Sequence, residues 1–213
     1  LVYVDGTQGW KATDTSSLSD IELTPTYITA TGGTISCSGD YKIHTFTGPG
    51  TFCVSSLGNP VGGPSAVDYL VVAGGAGGNR TGAPSYAANG AGGAGGFRES
   101  SGIASGSYTA SPLGSCVSAL PVSVTGYPIT AGGGGAGGTG GGAGGGGNGG
   151  TGNLSTFSTI TSAGGGFGGG YDGLSQSGGS GGGGGASGGP AGGIGNTPPV
   201  SPSQGNNGGT GVN

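Results

Sequence analysis

The chain begins in short alternating runs and passes into stretches that carry almost no side chains. Residues 1–4, 34–37, 41–46 and 51–54 are rich in β-branched and aromatic residues, with Gly39-Asp40 and Gly48-Pro49 between them as turns. This pattern predicts an antiparallel meander. About a turn at Gly48 and Pro49 it sets Ile43 opposite Val54 and Thr45 opposite Phe52 on one face, with His44 opposite Cys53 on the other. Further β-rich runs follow at residues 67–73, 120–130 and 155–162, and each leads through an alanine (Ala73, Ala131, Ala163) into glycine. A unit of strand, alanine, glycine tract and variable loop thus recurs irregularly. The loops fall at residues 79–89, 171–177 and 196–206. The strands are expected to feed glycine segments that lie roughly parallel, with the loops at their far end.

Glycine accounts for 63 of 213 residues, which turns these tracts into the main structural question. A flexible linker is the first reading of such sequence. A net charge of -4 and a mean hydropathy of -0.03 do not match the charged, apolar-poor signature of solvated disorder. Collagen requires glycine at every third position, and the unbroken runs at residues 144–147 and 181–185 violate that register, as does a content of only 12 prolines. What remains is polyglycine II, a left-handed helix of three residues per turn without internal hydrogen bonds. Its N–H and C=O groups point outward and must be paired when buried, so several such helices have to pack side by side. Ordering each glycine costs roughly 0.5–1 kcal/mol more than ordering alanine. Net gains of about 1 kcal/mol per hydrogen bond offset this only where nearly every backbone group is used. The expected fold is therefore all-β plus polyglycine II. Residues 1–33 form an N-terminal connecting segment, residues 34–73 a β meander or sandwich, and residues 74–213 a packed bundle of polyglycine II helices with interleaved strands at 120–130 and 155–162. Met is absent and Lys, Arg and Glu are scarce, so almost no α-helix is expected.

Charge and side-chain chemistry narrow the function classes. Four Lys plus Arg cannot supply the basic face that nucleic acid demands. No apolar run approaches the roughly eighteen residues of a membrane span, so no membrane insertion is expected. Residues 1–5 lack the basic start and apolar stretch of a signal peptide, and there is no initiator Met, so the chain reads as a piece of a longer polypeptide. His44 is the only histidine, which removes the usual partner of Ser/His/Asp triads and of His-based zinc sites. Matches to Gly-x-Gly-x-x-Gly occur throughout, yet none opens a helix as a phosphate site requires. No catalytic residue, cofactor or metal is expected. Cys37, Cys53 and Cys116 are odd in number. In the predicted meander Cys37 and Cys53 lie about 9–10 Å apart, two strand spacings, beyond the roughly 7 Å that a disulfide tolerates. All three are expected to be reduced, as suits assembly in a cytoplasm. Trp10 reads as a packing anchor. Asn79-Arg-Thr81 and Asn153-Leu-Ser155 are formal glycosylation sequons of the kind that arise by chance.

The ordered series Tyr41-Lys-Ile-His-Thr-Phe-Thr-Gly-Pro-Gly-Thr-Phe-Cys-Val54, Val67-Asp-Tyr-Leu-Val-Val-Ala-Gly-Gly75, Ser155-Thr-Phe-Ser-Thr-Ile-Thr-Ser-Ala-Gly-Gly-Gly166 and Gly195-Asn-Thr-Pro-Pro-Val-Ser-Pro202 resembles the glycine-rich domain of tail-fibre and virion proteins of marine tailed bacteriophages. The likeness runs from Thr34 onward. The opening Leu1-Val-Tyr-Val-Asp-Gly-Thr-Gln-Gly-Trp-Lys11 also looks like the segment closing an upstream fibre region in such proteins. Adhesins at the fibre tips of T-even-like phages are similar in design, with packed polyglycine helices that present variable distal loops to the host surface. The resemblance implies a non-enzymatic fibre module in which Arg80, Tyr86, Tyr171 and Asp172 contact a receptor. It implies as partners a host cell-surface glycan or outer-membrane protein and other virion fibre proteins, with location in the virion or outside the cell. A homotrimer or a self-associating filament is open at this stage. The alternative is a purely structural spacer or filament subunit, in which residues 1–4 complete a neighbour's sheet by strand addition and glycine helices pack between copies.

Overall fold

A computed structural model describes residues 24–80, 89–100, 118–139, 147–170, 173–186 and 189–212, together with two short strands near the N-terminus. Those two, β1 (Val2–Tyr3) and β2 (Trp10–Lys11), pair antiparallel, with Tyr3 opposite Trp10. The molecule is all-β with antiparallel sheets, and the described residues contain no helix.

The central sheet gathers β3 (Thr29–Thr31), β6 (Gly50–Ser56), β11 (Gly126–Thr130), β12 (Ser155–Phe157) and β13 (Ile160–Ser162) in the order β13-β12-β11-β6-β3. Alternation along β6 turns Phe52 and Val54 inward, at 7% and 1% exposure, and leaves Thr51, Cys53 and Ser55 in solvent. Phe52 meets Phe157 edge-on at 5.8 Å, and Tyr127 meets Phe157 at 6.1 Å, the offset geometry that aromatic quadrupoles favour. Ala30, Val71, Val122 and Ile160 complete this small core. The Tyr127 hydroxyl accepts the backbone N–H of Ser123 at 2.7 Å and so fixes the corner that leads into β11.

The expected meander is corrected. β4 (Thr34–Ser38) and β5 (Tyr41–Thr45) form their own hairpin about Gly39 and Asp40, and Ile35 faces His44. Ile43, Thr45 and His44 therefore do not pair with Val54, Phe52 and Cys53; β6 pairs instead with β3 and β11. The cause lies at Gly32 and Gly33, both with positive φ (107° and 65°), where the chain turns out of the sheet. A Cβ at Gly32 would run into the Thr51 carbonyl of β6, and one at Gly33 into the Thr45 carbonyl of β5. Cys37 and Cys53 consequently sit in different sheets, both with free thiols, and Cys116 lies outside the described residues.

Other strand expectations divide. Residues 66–72 break at Asp68 and Tyr69 into β7 (Ala66–Val67), which pairs with β10 (Leu120–Pro121), and β8 (Leu70–Val72), which pairs with β9 (Phe97–Glu99). The wholly buried Ser100 makes the break, since its hydroxyl takes the Tyr69 N–H and donates to Asp68 at 2.6 Å. Residues 155–162 are a tight hairpin and not one strand, reversed at Ser158 with φ of 55°.

The glycine segments are held by backbone hydrogen bonds whose partner changes with a period of three. Ala73, Ala76 and Asn79 donate to Gly96, Gly93 and Gly90, so segments 73–79 and 90–96 run antiparallel. Gly74, Gly77 and Arg80 donate to Asn153, Gly150 and Gly147, while Gly75 and Gly78 accept from Gly135 and Gly138. Inside the stack even a methyl group has no room: a Cβ at Gly74, Gly90, Gly152 or Gly165 would collide with the carbonyl of Gly133, Gly183, Gly74 or Gly93. The three segments that the strands feed, 73–79, 131–139 and 163–169, run parallel as expected, and the return segments 90–96 and 147–153 run antiparallel to them.

Candidate functional site

The hydrogen-bond register decides which turns share an end of the stack. Segments leave the sheets at Ala73, Ala131 and Ala163 and reach Arg80, Thr139 and Gly170; the next described residues on the return path are Asn89, Gly147 and Gly173. Gly147 donates to Thr139 at 3.1 Å and accepts from Arg80 at 3.4 Å, while Gly90 bonds both Asn79 and Gly169. The segment at 179–185 ends beside Gly169, since Gly169 donates to Gly183 at 2.9 Å. The described residues Arg80, Asn89, Thr139, Gly147, Gly170 and Gly173 thus lie at one end of the stack, away from the sheets.

Arg80 stands at this end, exposed, in an isolated bridge with Gly147. Its neighbour Asn79 donates from Nδ2 to Asn148 Oδ1 at 3.0 Å, and the Asn79 amide packs against the bare Cα of Gly170, where a Cβ would stand 3.1 Å from Nδ2. Asn79 Oδ1 is buried without a hydrogen-bond partner. An exposed guanidinium with its fork of donors beside primary amides, which both donate and accept, is a set suited to hydroxyl and carboxylate groups. Tyr86, Tyr171 and Asp172 lie outside the described residues. Of the residues that flank them in sequence, Arg80, Asn89, Gly170 and Gly173 lie at the same end of the stack.

The third expected loop is corrected in position. Residues 196–206 lie at the sheet end, locked by Gln204, which is 1% exposed. Gln204 Oε1 accepts from Ala163 N at 2.8 Å, its Nε2 donates to the Pro198 carbonyl at 2.8 Å, and its own carbonyl accepts from Phe97. Asn196 Oδ1 accepts from the backbone N–H of Val200 and of Gln204. A buried amide with every group paired is a structural staple. Sequence reasoning missed Gln204 because a polar side chain between Ser203 and Gly205 carries no signal of burial.

Elsewhere among the described residues no reactive constellation forms. His44 Nδ1 lies 2.8 Å from the Gly32 carbonyl, an obligate acceptor, so Nδ1 holds a proton. Its ring meets Phe52 edge-on at 5.1 Å, which ties the β4-β5 hairpin to the core. No three His, Cys, Asp or Glu gather among the described residues. An open cleft at the sheet end, between Thr130, Gly132, Asn153, Leu154, Thr161 and Pro198, has no titratable side chain in its lining. No helix among the described residues is long and apolar enough to cross a membrane. Comparison with protein-family models, curated proteins and solved structures finds no match for this chain.

Proposed function

We propose that the chain is a non-enzymatic module of a virion fibre, in which glycine segments in the polyglycine II conformation form a rigid platform for host cell-surface attachment. The observation that carries this reading is the gathering of glycine-segment ends on one side of the stack, Arg80 and Asn79 among them. The three-residue period of the backbone bonds supports the polyglycine II assignment, since a helix of three residues per turn presents every third residue to the same neighbour. Rigid scaffolds that display variable loops are a common arrangement for recognition. The partner is a host glycan or outer-membrane protein, met by Arg80 together with Tyr86, Tyr171 and Asp172. Alanine at these four positions should reduce adsorption of the fibre to host cells while the thermal unfolding midpoint stays unchanged. Adsorption equal to that of the parent chain would overturn the assignment.

A second reading, a spacer or filament subunit without a receptor, is favoured by the surface segment 131–139, whose outer backbone is left open. Imaging of the native particle separates the two: copies confined to a fibre end support attachment, and a continuous helical array supports the filament.

A further inference from the structure

The period of three gives each glycine segment distinct rows of residues, and the outward rows can be compared. On segment 147–153 the exposed row is Asn148 and Thr151, continued by Leu154. On segments 190–195 and 205–211 the exposed positions include Ala191 and Ile194, and Asn207 and Thr210. Side chains are thus common where a row faces solvent, although Gly209 on segment 205–211 is exposed as well. Segment 131–139 differs in that it has two exposed rows: Gly133, Ala136 and Thr139 form one, and the other, Gly134 and Gly137, is glycine alone.

Steric exclusion by the chain itself does not account for the difference. A Cβ at Gly137 would meet nothing within 4 Å, and at Gly134 it would reach only ordinary contact, 3.5 Å from the Gly75 carbonyl. On the adjoining segment a Cβ at Gly75 or Gly78 would stay 3.7 Å from its nearest neighbour. All four have backbone angles that alanine adopts, since none shows the positive φ that selects glycine. Glycine at such positions lowers stability through the entropy of the unfolded chain, and the fold of a single copy gains nothing in return.

The hydrogen bonds supply a second and independent observation. Gly134 and Gly137 neither donate nor accept among the described residues, and the N–H groups of Gly75 and Gly78 have no partner although their carbonyls accept from Gly135 and Gly138. Two adjacent segments therefore end in unpaired backbone groups. This is the counterpart of an open sheet edge, a template for another chain.

We propose that the face built by Gly75, Gly78, Gly134 and Gly137 binds the same glycine segment of a second copy of this chain. Only a partner whose own backbone is bare can approach closely enough to use these N–H and C=O groups, and segment 131–139 is such a backbone. Segments 73–79 and 131–139 contain no Asp, Glu, Lys or Arg, so two copies meet without burying a charge. The proposal is independent of receptor binding at the far end.

Sedimentation velocity on the full chain over a concentration series tests it, alongside the variant Gly134→Leu/Gly137→Leu and the control Thr151→Leu on another outward row. The parent chain and the control should associate, and the double variant should weaken association about tenfold or more. Hydrogen exchange at Gly75, Gly78, Gly134 and Gly137 should slow as concentration rises, and this readout needs no variant. A parent chain that remains monomeric throughout, or a folded double variant that associates like the parent, would overturn the proposal.

Discussion

The sheet half and the glycine half of this molecule reach order by opposite routes. In the sheets, Phe52, Val54, Phe157 and Ile160 remove apolar area from water, and cross-strand register follows from which face each side chain takes. In the glycine half there is little side chain to bury, so cohesion comes from backbone N–H and C=O groups paired between segments at 2.7–3.4 Å. The difference teaches where each half is vulnerable. Removing atoms harms the first, and adding a single carbon harms the second.

The comparison can be broken at either side. Phe52→Ala deletes the ring that meets Phe157, Tyr127 and His44, and should cost about 3–5 kcal/mol in chemical denaturation. Its amide protection should fall first in β6, β11 and β12. Gly165→Ala adds one methyl between the Gly93 carbonyl and the Ala76 N–H and should cost about 3 kcal/mol, although alanine is elsewhere the milder residue. A thermal melt of Gly165→Ala indistinguishable from the parent would mean that the segments are not packed backbone to backbone. The smallest effect sharpens the same point from outside: Gly209→Ala, where a Cβ meets nothing within 4 Å, should gain about 0.5 kcal/mol.

How much of this was legible in the sequence depends on the range of the signal. The β4-β5 hairpin could be read because Gly39 and Asp40 sit between two β-rich runs, a purely local cue. The placement of β6 could not, because its partner β11 lies beyond glycine segments, and local pattern says nothing about which distant strand arrives. Division of residues 155–162 rests on Ser158 in a left-handed conformation that serine rarely adopts, so no turn residue announced it. For the candidate site, Arg80 is reached through the resemblance and its place in the loop after the first glycine tract, whereas Asn79, Asn148 and Gln204 matter through pairings across the stack. The bare row at Gly134 and Gly137 is invisible in a tract where every row is mostly glycine; only the pairing scheme separates inner from outer.

Amide-resolved hydrogen exchange on the full chain tests the rigid glycine platform most directly. Slow exchange is predicted at Gly90, Gly93, Gly165, Gly166 and Gly169, whose N–H groups are paired inside the stack. Exchange at those five amides as fast as in an unstructured chain would contradict the account.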